Sequence, residues 1–122
     1  MKEKCGVVGI SANSETDVST SIFYGLYALQ HRGQESCGIT TIDDQVYTEK
    51  GMGLVPDFFN YKKLKKLKGK KGIGHVRYST TGGSDIECAQ PFVISHSTGT
   101  LAIAHNGNII NTNELKKNLE SS

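Results

Sequence analysis

Four stretches of the chain carry residue types able to do chemistry. The chain opens MKEKCGVVGI, so Cys5 stands between a charged start and an apolar run. LQHRGQES (29–36) sets His31, Arg32, Gln34 and Glu35 around Gly33. GHVRYSTTGG (74–83) puts His75 and Arg77 on one stretch, followed by hydroxyls and glycines. AHNGNIIN (104–111) holds the pair Asn106-Gly107. A cysteine can act as a nucleophile, and an arginine can grip a carboxylate. An Asn-Gly turn exposes a backbone N–H beside a side-chain amide, two donors able to stabilise an oxyanion. Each stretch also has a plain reading. Cysteine is a small buried hydrophobe, Arg32 pairs with Glu35 in a surface turn, His75 is a satisfied core residue, and Asn-Gly is the commonest hairpin signal.

These stretches need elements to position them, and strands alternate with helices along the chain. The run 5–11 is short and apolar, as a buried strand is. Val18, Ile22, Leu26 and Leu29 then form one helical stripe. Asp17 or Ser19 is expected to cap its start, with Gly33 past its end. Segments 37–43 and 45–49 read as a hairpin turning at Asp43-Asp44. DFFNYKKLKKLKG reads as one short basic helix ending at Gly69, with Leu64 and Leu67 turned inward. GIGHVRYS, PFVIS and TLAIAH are three further strands. Asn111 and Glu114 give a capping-box-like start to a terminal helix.

Composition narrows the function classes. The 122 residues make at most one small domain. A net charge of +2 from 14 basic and 12 acidic residues is too balanced to imply nucleic acid or membrane. The run KKLKKLKGKK (62–71) has no interleaved aromatic and reads as a solvated face, which leaves a nucleic-acid-binding domain as a weaker alternative. No apolar run approaches the roughly 20 residues of a membrane span, and MKEK is no secretory signal, so a cytoplasmic location is expected. Cys5, Cys37 and Cys88 are odd in number and lack Cys-x-x-Cys spacing, which argues against disulfides and zinc.

The stretches taken together resemble the N-terminal glutaminase part of amidophosphoribosyltransferases, class II glutamine amidotransferases with the N-terminal-nucleophile (Ntn) hydrolase fold. The matching pieces are CGVVGI, YGLYALQHRGQES, GHVRYSTTGG, AQPF and AHNGNIINTNEL, from Cys5 to about Leu119. Glucosamine-6-phosphate synthase-type glutaminases share Cys-Gly and Asn-Gly, but tend to read closer to YRGYDS and HTRWATHG. The resemblance implies an α+β fold, an αββα sandwich of which this chain covers roughly the first half. It implies a propeptide at residues 1–4 and a partial amidotransferase domain at 5–122.

By that resemblance Cys5 becomes the first residue and attacks the amide carbon of glutamine. A thiol is mostly protonated at neutral pH, with a reference pKa of about 8.5, and a free α-amine near 8 can take its proton. One residue then supplies both nucleophile and base. The resemblance gives Arg77 the glutamine α-carboxylate and gives Asn106 and Gly107 the oxyanion. Arg32, Tyr78, Ser79 and Thr80 match residues around the bound glutamine. No cofactor is expected on this chain. Magnesium, and an iron–sulfur cluster in some members, belong to the full-length family, as do homo-oligomers.

No position matches the family aspartate that binds the glutamine α-amino group, and the phosphoribosyltransferase half is missing. The expectation is a fragment, weak or inactive alone, that relies on a second chain or on the missing half. Two readings beside the enzyme are an inactive fragment and a glutamine-binding regulatory module.

Overall fold

The computed structural model describes residues 5–30, 34–78, 86–105 and 117–118. The expected strand at the start is β1 (Gly6–Ser11), followed by helix α1 (Ser19–Leu29). The hairpin is longer than the sequence suggests: β2 (Gln34–Ile42) and β3 (Val46–Met52) pair from Ser36↔Met52 to Ile42↔Val46. Its turn closes as Asp43 N–H donates to the Gln45 carbonyl.

The single basic helix of the sequence reading is two pieces, α2 (Val55–Phe58) and α3 (Tyr61–Lys66). The break has a local cause. Asn60 is extended, and its side chain accepts from Lys63 N–H at 2.8 Å, which starts a new helix instead of continuing the old one. Leu67 is buried and Leu64 packs against the core, as expected. Gly69, at φ +122°, turns the chain into β4 (Lys71–Tyr78), in a conformation that disfavours a side chain. After a single 3₁₀ turn at Ile86–Cys88 come β5 (Phe92–His96) and β6 (Gly99–Ile103). The expected terminal helix, with Asn111 and Glu114, lies outside the described residues apart from Lys117 and Asn118.

Among the described residues the strands form two antiparallel sheets. One has the order β1-β4-β2-β3 and the other is the β5-β6 hairpin. Helix α1 covers one face of the larger sheet. Val18, Ile22 and Leu26 are buried there with Cys37, Ile39, Val76 and Tyr78. Leu29, the fourth residue of the stripe, is 38% exposed. Gly72 and Gly74 leave room for Ile22 and Leu26 to press against the strand backbone. The expected side-chain cap is absent. Val18 is the N-cap residue, Asp17 instead accepts from Gly69 N–H at 2.8 Å, and Ser19 donates to the Leu64 carbonyl at 2.9 Å. Both side chains tie the helix start to the α3–β4 connection.

The other face of the larger sheet meets the β5-β6 layer. Gly38 is where the layers come closest, since a Cβ there would collide with the Gln90 carbonyl. Lys50 Nζ donates to the Pro91 carbonyl at 2.9 Å and lies over the Phe92 ring. The described part is thus a helix–sheet–sheet stack, three of the layers expected of an αββα sandwich.

Candidate active site

Strand alternation decides which residues share a face. Gly6 and Val76 are cross-strand partners on the α1 side of the sheet. One step along that register sets Cys5 opposite Arg77, and both fall on the other face, toward the β5-β6 layer. Cys5 is partly buried and its thiol is free. The arrangement follows from the sequence around it: CGVVGI and GHVRY are apolar enough to pair as adjacent strands, and continuing their register by one residue brings Cys5 across from Arg77.

A third group joins them from β2. The β2–β4 register shifts between Gln34 and Ser36, leaving Glu35 as the extra residue of a bulge. Bulges re-aim side chains. Here Glu35 Oε2 comes within 3.6 Å of Arg77 Nε, with both side chains largely buried at 16% and 12% exposure. That distance makes an ion pair but is too long for a hydrogen bond. Arg77 Nε, Glu35 Oε2 and the neighbouring Ser36 Oγ accordingly have no hydrogen-bond partner among the described residues. The bulge is anchored by Gln34, which donates to the Ser36 and Gly53 carbonyls at 3.0 and 2.6 Å and accepts from Val55 N–H at 3.2 Å. The plain reading that paired Glu35 with Arg32 falls on a residue outside the described ones; among the described residues Glu35 pairs with Arg77. Nothing in the composition of QES announces a bulge, so this role was invisible in the sequence.

His75, two residues before Arg77 on the same face, is fully buried. Burial pushes its pKa down to about 4, opposed by its hydrogen bond to the His105 backbone and assisted by the charges of His105 and Arg77. The ring is therefore neutral at pH 7. Its Nε2–H donates to the His105 carbonyl at 2.9 Å, an assignment fixed by the carbonyl having no proton to give. Nδ1 has no hydrogen-bond partner among the described residues.

Tyr78 takes the opposite face. Its ring is buried against α1 and its hydroxyl donates to the Leu29 carbonyl at 2.9 Å, so its side chain is not brought to Cys5 and Arg77. Arg32, Ser79, Thr80, Asn106 and Gly107 lie outside the described residues. The other cysteines differ from Cys5 in setting. Cys37 is fully buried, and burial pushes its thiol up to about 12, while Cys88 is partly buried. Two clefts, of about 240 and 550 Å³, lie at the far end of the sheet around Ile42, away from this cluster. In the basic run, Lys63 donates to the Phe58 carbonyl and sits 3.7 Å from the Phe58 ring centroid, and Lys65 lies over Tyr61.

Comparison with known proteins places this geometry. No protein-family model matches the chain. Individual relatives do. An amidophosphoribosyltransferase of Methanothermobacter thermautotrophicus is 57% identical over 98% of the chain, and one of Bacillus subtilis is 47% identical over 99%. The chain belongs to the amidophosphoribosyltransferase family. It spans about a quarter of the length of these relatives, 26% and 25%. Solved structures agree. The allosteric regulatory enzyme of purine biosynthesis superposes with a TM-score of 0.75 at 44% identity, covering 94% of this chain and 25% of that one. Glutamine phosphoribosylpyrophosphate amidotransferase from B. subtilis, complexed with ADP and GMP, gives 0.72 at 42% identity, with 94% and 24% covered. The helix–sheet–sheet stack is thus a mixed α/β fold with antiparallel sheets like that of these structures, consistent with a partial Ntn-hydrolase fold.

Proposed function

We propose that this chain carries the glutamine-hydrolysing site of an amidophosphoribosyltransferase, with Cys5 as nucleophile once residues 1–4 are removed. The observation that carries the reading is the β1–β4 register, which sets Cys5 across from Arg77. Removal of MKEK turns the Cys5 nitrogen from an amide into an amine. The amine takes the thiol proton, and the thiolate adds to the amide carbon of glutamine. Asn106 and Gly107 donate to the resulting oxyanion, where loss of one donor typically costs about 2.7–4 kcal/mol. Collapse breaks the C–N bond, and the ammonium returns its proton to the leaving nitrogen, which departs as ammonia. Water then cleaves the thioester to glutamate. This sequence of steps draws on no metal or cofactor.

Arg77 receives the glutamine α-carboxylate through the guanidinium edge that Glu35 leaves open, and Glu35 fixes the guanidinium plane. The family resemblance assigns Arg32, Ser79 and Thr80 to glutamine binding, while Tyr78 contributes by anchoring the end of β4 to α1. In the whole enzyme the ammonia would pass to a phosphoribosyltransferase half for 5-phosphoribosylamine formation. That half would sit on the same or a second polypeptide, in a cytoplasmic homo-oligomer.

The test is ammonia release from glutamine by the full polypeptide with Cys5 as its first residue, compared with a form retaining residues 1–4. The processed form is expected to release ammonia and the unprocessed form at least a hundredfold less. Equal rates would remove the amine from the mechanism. Glutamine binding without ammonia release by the processed form would favour a regulatory module.

A further inference from the structure

Two stretches of the sequence, GHVRYSTTGG and AQPF, hold a histidine and a glutamine, His75 and Gln90, that have no part in the chemistry so far. The structure puts both on one residue. His75 Nε2–H donates to the His105 carbonyl at 2.9 Å, and Gln90 Oε1 accepts from the His105 N–H at 2.7 Å. Both backbone polar groups of His105 are thus held by side chains that are themselves buried, His75 at 0% and Gln90 at 1% exposure. His105 is the residue immediately before Asn106 and Gly107.

We propose that His75 and Gln90 are positioning residues, a two-sided clamp on His105 that sets where the Asn106–Gly107 donors stand relative to Cys5. This rests on the proposed oxyanion role of that pair. Three features support it. The clamp joins both layers, since His75 belongs to β4 and Gln90 precedes β5. It shares its strand with Arg77, so donors and guanidinium take their positions from one rigid element. Gln90 is itself seated, because Gly38 lets its carbonyl approach the larger sheet and Lys50 holds the next carbonyl, that of Pro91. A side chain pinned in this way transmits position with little slack, and about 1 Å of misplacement can cost about a hundredfold in rate.

The experiment measures glutamine hydrolysis by the full polypeptide with Cys5 first. Gln90→Leu and His75→Leu are each expected to lower kcat about ten- to a hundredfold while KM for glutamine stays within about twofold, because Arg77 is untouched. His75→Gln keeps an N–H donor in reach and is expected to recover most of the loss seen in His75→Leu. Asn106→Ala is expected to lose about a hundred- to a thousandfold. Adding Gln90→Leu to it should cost clearly less than Gln90→Leu costs alone, since only the Gly107 N–H is left for the clamp to place. Folded Gln90→Leu protein with normal kcat, or losses that multiply fully in the double variant, would overturn the clamp. Normal kcat in Asn106→Ala would instead overturn the oxyanion reading. Should the leucine variants fail to fold, nitrogen resonances of the unaltered protein still decide. At pH 7 His75 must carry its proton on Nε2, and a proton on Nδ1 contradicts the proposal.

Discussion

A buried neutral histidine makes stability depend on pH in a direction that can be worked out. Unfolded His75 takes up a proton near pH 6.5, whereas in the fold it does so only near 4. Between these values the unfolded state binds more protons, so stability falls as pH drops through this window, by an amount on the order of 3 kcal/mol once below it. Replacing His75 with glutamine removes the titration and keeps a donor. Urea midpoints at pH 7 and pH 4.5 should therefore diverge less in His75→Gln than in the unaltered protein, and equal divergence would contradict the assignment. At this scale the sequence was only partly legible. Cys5 and Arg77 stand in motifs whose chemistry can be read from residue type. Glu35 could not be read, because its approach to Arg77 depends on a bulge that no residue in QES requires. Tyr78 sits in the same motif as Arg77, yet strand alternation sends its ring to the other face.

Elements were more legible than their ends. The Val18, Ile22 and Leu26 stripe marks α1 because burial on one face demands that spacing, and all three are buried. Its start was misread because Asp17 and Ser19 spend their side chains on Gly69 and Leu64, contacts across 52 and 45 residues that local sequence cannot announce. The break between α2 and α3 was legible in Asn60, a residue suited to capping, but the lysine run masked it. Since Leu26 is fully buried where α1 packs on the larger sheet, Leu26→Ala should cost about 2–5 kcal/mol, the usual range for a large-to-small change in a packed core. A chemical-denaturation midpoint reads this directly, and a loss below 1 kcal/mol would mean that α1 is not a principal cover of the sheet.

At the scale of the whole molecule, β1 and β3 are the outer strands of the larger sheet, and the β5-β6 layer is joined to it chiefly through Gly38, Lys50 and His75. The site is assembled at one end of this stack, where three strands and the chain after β6 converge. In the proposed function, position rather than composition makes one of three cysteines the nucleophile. Cys37 is buried with its thiol pushed up to about 12, so it stays protonated and unreactive at neutral pH. The direct measurement is to treat the folded polypeptide, with Cys5 as its first residue, with a diazo-ketone analogue of glutamine and map adducts by mass spectrometry. One adduct is expected, on Cys5, suppressed by added glutamine and slowed at least tenfold in Arg77→Ala. Equal modification of Cys5, Cys37 and Cys88 under native conditions, or a spared Cys5, would contradict it.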